Sequence, residues 1–172
     1  MPSIRKAQRH DAAQLAALAE ATFREAFAEV NTVEDMSLHC RSRYGEALQA
    51  AEIADPNMLT LLCEHGARPV GFAQLRWGQA PGCIVAEAPG EIQRLYVVGD
   101  FHGKGVAQDL MRACRDELAL RRSDVVWLGV WERNSRAIAF YKKLGFAQVG
   151  AHIFTVGRDP QRDLLMARPV AD

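Results

Sequence analysis

A short glycine-rich stretch, His102 to Ala107, contains residue types suited to holding a phosphate group. It joins an apolar, strand-like run, Ile92 to Val98, to an amphipathic segment. The first turn of a helix leaves backbone N–H groups without acceptors and carries the positive end of the helix dipole, so it stabilises an anion. Gly103 and Gly105 lack Cβ atoms, which lets the backbone turn sharply near a bulky diphosphate, and Lys104 adds a positive charge. The stretch predicts a phosphate site, with an ordinary strand-to-helix turn as the alternative.

Two better-known phosphate motifs do not fit this stretch. A Walker loop reads G-x-x-x-x-G-K-[ST], whereas the segment from Gly99 to Gly105 is one residue short and ends on glycine where a magnesium-binding hydroxyl is needed. A dinucleotide fingerprint would place Gln108 at its third glycine, although Asp124 lies at the distance of the ribose-binding acid. A dinucleotide-binding oxidoreductase is therefore the weakest functional hypothesis.

Length and charge restrict the class of protein. The chain of 172 residues is long enough for one domain with a substantial core, and we expect residues 1–172 to form a single domain. It has 21 Lys plus Arg and 21 Asp plus Glu, so charge gives no reason to expect a nucleic acid or an anionic membrane as partner. No run approaches the roughly 20 apolar residues of a membrane span, and the N-terminus lacks an apolar segment. These features predict a cytoplasmic protein.

The cysteines do not form a metal-binding pattern. No C-x-x-C pair occurs, and no histidine stands at zinc-finger spacing, so no metal site is expected. Each cysteine lies in an apolar or amphipathic context, which predicts small buried side chains with reduced thiols. The four are Cys40, Cys63, Cys83 and Cys114.

The elements before the glycine stretch are predicted to be a strand, two helical segments and a hairpin. Asp11 and Gln14 have the N-cap and N3 spacing of a capping box, which predicts the start of the first helix. Apolar residues then recur at helical spacing up to Val30. The segment Val33–Ala54 is helical by propensity but weakly patterned. The expected strands are Ser3–Ala7, Met58–Glu64 and Pro69–Trp77, and residues 78–90 are expected to form a loop.

The elements after the glycine stretch begin with a helix that has one apolar face. The apolar run Val125–Trp131 then predicts a central strand buried on both faces. Asn134 can cap a last helix, and Gly145 stands where a left-handed C-terminal residue is favoured. Phe146–Thr155 and Asp163–Arg168 are the expected final strands. This order predicts an α/β fold, a mixed sheet with helices on both faces.

The glycine stretch and its flanks resemble the GNAT superfamily of N-acetyltransferases. The acetyl-coenzyme A motif of that family, [Q/R]-x-x-G-x-[G/A], matches His102 to Ala107. Leu95-Tyr96-Val97 looks like the strand that pairs with pantetheine, and Asn134 to Phe146 looks like the second family motif. The resemblance implies the GNAT fold, with a central, mixed, mostly antiparallel sheet flanked by helices on both faces. It also implies acetyl-coenzyme A as cosubstrate, contacted by Leu95, Tyr96, Val97, His102, Gly103, Lys104, Gly105, Val106, Ala107 and Asn134.

His102 is the one departure from the motif, because arginine or glutamine is usual at that position. Backbone N–H groups provide most of the grip on the pyrophosphate, so we expect coenzyme binding to be retained, with weaker affinity at most.

Three further segments are similar to PaiA-type spermidine/spermine N-acetyltransferases. They are Thr22 to Asn31, Trp127 to Glu132 and Asp163 to Ala167. This similarity predicts a polyamine as acceptor, and an acidic group in and after the first helix could attract its positive charges. That group, which we call the acidic cluster, consists of Glu25, Glu29, Glu34 and Asp35. Solvated helix carboxylates are the alternative interpretation.

Transfer of an acetyl group from a thioester to an amine needs a base. An alkylamine has a pKa near ~10, so only about one molecule in a thousand is nucleophilic at neutral pH. Glu91 is the predicted base, since a glutamate at this place resembles the base of several family members; strict alternation would put it on one face with Gln93, Leu95 and Val97. A solvated strand-end carboxylate is the alternative, and Glu132 is the second choice.

The reaction also needs an acid and an oxyanion donor. Tyr141 is the predicted acid, because a phenol keeps its proton through neutral pH and could pass it to the leaving sulfur. An aromatic residue on the inner face of a helix is otherwise a core residue, so the resemblance is what favours catalysis. Asn134 could cap its helix and touch the pantetheine arm. As in the family, a backbone N–H of Leu95-Tyr96-Val97 is expected to bind the oxyanion.

The predicted activity is therefore N-acetylation of a small primary amine with acetyl-coenzyme A. A protein N-terminus, an amino acid or an antibiotic amine could be the acceptor instead of a polyamine. A non-catalytic acyl-coenzyme A sensor is the alternative from another class. Exposed apolar positions on the final strands could pair two subunits in a homodimer.

Overall fold

The computed structural model describes residues 1–172 and contains one seven-stranded sheet and five α-helices. The helices are α1 (Ala12–Phe27), α2 (Val33–Arg43), α3 (Glu46–Ala54), α4 (Val106–Leu120) and α5 (Ser135–Lys143). The strands are β1 (Ser3–Lys6), β2 (Met58–His65), β3 (Arg68–Trp77), β4 (Gly90–Val97), β5 (Val125–Trp131), β6 (Ala147–Val156) and β7 (Asp159–Pro169). Their order is β1-β2-β3-β4-β5-β7-β6, and only β4 and β5 are parallel neighbours. The expected mixed, mostly antiparallel sheet is confirmed.

Helices cover both faces of the sheet, and each face has its own core. Along β2, Leu61 packs into one core together with Leu110 of α4, whereas the next residue, Leu62, packs into the other with Phe23 of α1. This change from one residue to the next is the alternation of a strand buried on both sides. We call the two sides the α4 face and the α1 face.

A bulge at Gln93 changes which residues of β4 share a face. The pairing of β4 with β3 slips by one residue there, which leaves Gln93 without an opposite residue. As a result Glu91 lies on the α1 face, whereas Leu95 and Val97 pack into the α4-face core. The predicted alternation, with all four residues on one face, was therefore wrong, because a bulge inserts an extra residue into the period.

Strands β4 and β5 separate soon after they meet. Their parallel pairing joins only Gly90 with Val126 and Glu91 with Trp127. Beyond Glu91 one edge of β4 has no strand beside it, and we call the opening the β4–β5 gap. Backbone groups in the middle of a sheet are normally bonded to a neighbouring strand, so this gap leaves polar groups free for another partner.

The start of α1 differs from the prediction. Asp11 precedes the helix and accepts the backbone N–H of Gln8 at 2.7 Å, so it ends a short preceding turn instead of forming a capping box with Gln14. Its carboxylate also binds Arg5 of β1 at 2.8 Å and 2.9 Å. The ion pair between Arg5 and Asp11, which the spacing of residues does not reveal, occupies the carboxylate that would otherwise have capped α1.

Other predicted elements are confirmed with shifted boundaries. The segment Val33–Ala54 divides into α2 and α3 around Tyr44 and Gly45. Strand β5 is buried as expected but is the fifth of seven strands, so it is not at the centre of the sheet. Asn134 caps α5 by accepting the N–H of Ala137 at 3.1 Å, and Gly145 has φ +88°.

The cysteines are all free thiols. Cys40, Cys63 and Cys114 are buried, as predicted, but Cys83 is exposed because it lies in the loop before β4. No helix has both the length and the apolar character needed to cross a membrane.

Candidate active site

A cavity of about 170 Å³ lies at the β4–β5 gap and is lined from both faces of the sheet. Tyr141 and Ala137 of α5 line it from the α4 face, and Phe23 and Phe27 of α1 line it from the α1 face. Cavities of about 150 Å³ hold a benzene molecule, so this one can hold a small organic group. The gap thus joins the two faces at a site where groups from opposite sides can meet.

Tyr141 brings a phenol to the cavity from the second turn of α5. The residue is only 9% exposed, and its ring packs edge to face against Phe146 with centroids 5.7 Å apart. Its hydroxyl makes no hydrogen bond within the chain, and burial raises the pKa of the phenol above its usual range. A protonated phenol at a cavity wall, with no acceptor in the protein, can donate its proton to a bound group.

The backbone of β4 presents N–H groups to the gap. In an antiparallel ladder, alternate residues direct their N–H and C=O groups toward the partner strand. Val98 donates to Val70 of the segment that forms β3, at 3.0 Å, so Leu95 and Val97 direct theirs away from β3. Because β5 has moved away, the N–H groups of Leu95 and Val97 are available to a group in the gap.

The glycine turn has the geometry of an anion cradle. Gly103 and Gly105 have φ values of +74° and +84°, which side chains other than glycine rarely adopt, and a Cβ at either would meet no atom within 4 Å. The N–H groups of Gly103, Gly105, Val106 and Ala107 have no backbone acceptor. A bound anion is the natural partner for such groups at the start of α4.

Both ring nitrogens of His102 already have partners within the chain, so the ring is not free to bind an anion in this cradle. Its Nε2 lies 2.7 Å from the carbonyl oxygen of Val97, which can only accept, so Nε2 carries the proton. Nδ1 is then the acceptor for Arg136 of α5, whose Nη1 lies 3.0 Å away. The neutral imidazole therefore places a guanidinium beside the glycine turn. The sequence reasoning missed Arg136, although its place two residues after Asn134 was a usable signal.

The two carboxylates predicted as base do not line the cavity. Glu91 is buried and accepts two hydrogen bonds from Arg76, at 3.0 Å and 2.7 Å. Burial raises its pKa, and Arg76 opposes that rise. Glu132 is more exposed and accepts a 2.9 Å hydrogen bond from Arg162. Each of the two is therefore already paired with an arginine.

Asp163 of β7 is the only carboxylate among the cavity-lining residues, and the sequence reasoning did not identify it. It is 9% exposed, and burial raises its pKa from the ordinary 3.8 to about 6. Its nearest titratable neighbour is His152, with Nε2 3.9 Å from Oδ2. The signal that could have identified Asp163 is its spacing: this charged residue shares one face of a buried strand with Leu165 and Ala167.

The α1-face wall of the cavity is aromatic and carries few free charges. His39 stacks on Phe23 with centroids 4.2 Å apart, and burial lowers the pKa of His39 to about 4, so it is neutral at pH 7. Arg94 binds Glu52 at 2.7 Å, which offsets its charge. Arg43 lies over the ring of Phe154 at 6.0 Å and has no carboxylate partner.

The acidic cluster lies outside the cavity, since none of its four residues is among those that line it. Asp35 is engaged by the backbone N–H of Arg158 at 2.8 Å and by Thr32 at 2.9 Å. Glu25 accepts the N–H of Gly99 at 3.3 Å. Glu29 and Glu34 are exposed.

The chain is similar to known N-acetyltransferases. The model of the acetyltransferase (GNAT) family matches residues 16–146. An uncharacterized N-acetyltransferase of Mycobacterium tuberculosis (strain ATCC 25618 / H37Rv) is 33% identical over 162 residues, which cover 92% of this chain and 97% of that protein. An uncharacterized N-acetyltransferase of Lactobacillus delbrueckii subsp. lactis is 28% identical over 158 residues, which cover 92% and 91%.

The fold is shared with a solved structure. The PaiA N-acetyltransferase from Thermoplasma acidophilum, in complex with coenzyme A, has a TM-score of 0.79 and 21% sequence identity, covering 98% of this chain and 99% of that chain. The family match spans most of the chain, from α1 to the start of β6. This protein therefore belongs to the acetyltransferase (GNAT) family and is an N-acetyltransferase.

Proposed function

We propose that the protein moves the acetyl group of acetyl-coenzyme A to a primary amine, which attacks the thioester directly. The observation that carries this proposal is the meeting of the Tyr141 phenol and the free edge of β4 at one cavity. The anion cradle stands at the end of the same strand. An acid and an oxyanion donor are two of the groups that thioester aminolysis requires, and the anion cradle would hold the diphosphate of the coenzyme near them.

The coenzyme fits the cradle through backbone groups first. The free N–H groups of residues 103 and 105–107 would hold the pyrophosphate, as the family resemblance implies. His102 departs from the usual arginine or glutamine, and Arg136 supplies the missing positive charge beside it. Lys104 adds a second cation at the turn. Affinity for the coenzyme should therefore depend on α5 as well as on the glycine turn.

The residues at the gap would act on the reacting acetyl group. N–H groups of Leu95 and Val97 are directed into the gap, where they can donate to the thioester oxygen as it gains negative charge. Tyr141 would give its proton to the sulfur as the carbon–sulfur bond breaks. Asn134 lines the cavity while it caps α5, so its side chain can also touch the pantetheine arm.

The acceptor can be described at two levels, as an amine in general and as a polyamine in particular. Small-molecule and peptide amines are the acceptors of GNAT enzymes, and a polyamine stays a prediction from the segments similar to PaiA-type enzymes. The overall likeness to the PaiA structure concerns the fold and not the acceptor. The acidic cluster gives the polyamine less support than expected, because it lies outside the cavity. Glu91 likewise stays a prediction as base, acting directly or through a water molecule.

Two other predictions concern the class of protein and its assembly. A non-catalytic sensor would have no use for a buried phenol that faces the cavity without a partner, so the position of Tyr141 favours catalysis. A homodimer is supported only by exposed apolar residues on β6, of which Ile153 is 65% exposed.

The test is acetyl-coenzyme A-dependent release of free thiol with a panel of amines. Tyr141→Phe should lower kcat by about 100-fold or more, because the acid is lost, and leave the Kd for acetyl-coenzyme A within about twofold. Tyr96→Phe is the matched control, since it removes the phenolic hydroxyl of a second tyrosine that lines the cavity. Equal turnover in Tyr141→Phe and wild type would remove Tyr141 from the mechanism.

A further inference from the structure

Asp163 is placed where a positively charged group could meet it. The residue lies opposite Trp131 of β5 and His152 of β6, and its carboxylate makes no hydrogen bond within the chain. Only 12% of its side chain is exposed. A buried carboxylate without hydrogen-bonding partners destabilises a fold, so one at a cavity wall indicates a partner that binds there.

Gly129 of β5 leaves the carboxylate accessible from the cavity. A Cβ at this position would lie 3.3 Å from both Oδ2 of Asp163 and Nε2 of His152. Gly129 also lines the cavity, so the space that a side chain would fill is open to a ligand. The missing side chain thus makes room for a small group beside Asp163.

The other charges of the cavity limit what that group can be. His39 is neutral at pH 7 and Glu52 offsets the charge of Arg94, so Arg43 is the cation of the cavity wall without a carboxylate partner, and Asp163 is the one carboxylate. A polyamine bound at Asp163 would place its further cations in a cavity that offers them Arg43 and no second carboxylate, which is unfavourable. Rings of Phe23, Phe27 and Trp131 would instead favour an apolar arm.

We infer that Asp163 is the catalytic base and that the acceptor is a monoamine on an apolar arm, an inference that rests on the proposed acetyl transfer. Asp163 binds the ammonium group of the acceptor and takes one proton from it. The neutral nitrogen then attacks the acetyl carbon, a carbon–nitrogen bond forms and the carbon–sulfur bond breaks. Tyr141 protonates the departing thiolate, and the amide nitrogen loses its remaining extra proton to solvent. Asp163 returns its proton to water, and Tyr141 regains one.

Few titratable groups face Asp163, so the pH profile of the reaction should report the titration of Asp163 itself. His152 faces it from β6, Tyr96 lies near it on β4, and the facing residues of β5, Gly129 and Trp131, carry no charge. Burial is the main cause of the raised pKa of about 6, and His152 opposes it. The base must be deprotonated, so kcat/KM should rise through about pH 6.

The experiment measures the pH profile of kcat/KM with phenethylamine as acceptor. In Asp163→Asn, kcat/KM at pH 7.5 should fall by about 100-fold or more, and the limb near pH 6 should disappear, with the Kd for acetyl-coenzyme A unchanged. Glu91→Gln tests the rival base, a second buried carboxylate on the same face, and it should retain the limb if Asp163 is the base. A limb that persists in Asp163→Asn, or that disappears only in Glu91→Gln, overturns the assignment.

A comparison of kcat/KM among amines tests the proposed class of acceptor. Wild-type kcat/KM should be at least about tenfold higher for phenethylamine and butylamine than for spermidine, and a tenfold preference for spermidine overturns this part.

Failure of the proposed function is distinguishable from failure of this inference. If wild type binds acetyl-coenzyme A but acetylates no amine, the proposed transfer fails. Calorimetric binding of phenethylamine in the presence of coenzyme A then decides for Asp163: loss of binding in Asp163→Asn supports an amine site, and equal binding overturns it.

Discussion

Replacing Asp163 by asparagine should make the protein more stable at neutral pH while it lowers activity. The folded state raises the pKa of this carboxyl from 3.8 to about 6. Each pKa unit corresponds to about 1.4 kcal/mol, so the charged carboxylate destabilises the fold by up to about 3 kcal/mol once the pH is well above 6. The penalty decreases as the pH falls through 6 and vanishes below 3.8, where the group is protonated in both states. Asparagine keeps the shape of the side chain but has no charge to desolvate.

Urea unfolding of Asp163→Asn and wild type at pH 8 and pH 4 measures this difference. We expect the variant to gain about 1 to 3 kcal/mol at pH 8, since the exposed part of the carboxylate keeps some hydration, and to lose most of that gain at pH 4. Glu132→Gln is the control, because that carboxylate is partly exposed and should change stability little at either pH. An equal or lower stability of Asp163→Asn at pH 8, or a difference that does not depend on pH, would refute the assignment of a buried, desolvated charge.

Two further substitutions test the two ends of the site. Arg136→Ala should raise the Kd for acetyl-coenzyme A by about tenfold, because the cation beside the glycine turn is lost. The control is Arg122→Ala, in the turn that follows the C-terminal end of α4, which should not change the Kd. Isothermal titration measures both, and equal affinity of Arg136→Ala and wild type would exclude Arg136 from the phosphate site. Gly129→Ala should raise the acceptor KM several-fold and leave coenzyme affinity unchanged, because the added Cβ lies 3.3 Å from Asp163. The control is Gly82→Ala, whose Cβ meets nothing within 4 Å, and an unchanged KM in Gly129→Ala would place the acceptor elsewhere.

Local features were predictable wherever one segment contains its own signal. The positive φ of Gly103 and Gly105 follows from glycines at a strand-to-helix junction, and the cap at Asn134 follows from an amide that precedes a helical pattern. Asp11 was misassigned because the partner that competes for its carboxylate, Arg5, belongs to another element. The bulge at Gln93 placed Glu91 and Leu95 on opposite faces, against the prediction, for a similar reason, since a register slip depends on the neighbouring strand.

The sequence by itself determined the order of the elements, the glycine turn, the family motifs and Tyr141 as a candidate acid. Period and spacing specify the elements and the turn, because backbone conformation and amphipathic faces are local properties, and the resemblance to the family is what singles out Tyr141. Only the tertiary structure decided which groups share the cavity. Separation of β4 from β5 opened the gap, Arg76 occupied Glu91, and pairing of β7 with β5 and β6 brought Asp163 to the cavity wall. Such meetings join residues far apart in the chain, and they depend on which strands pair and which charges find partners, so no local pattern specifies them.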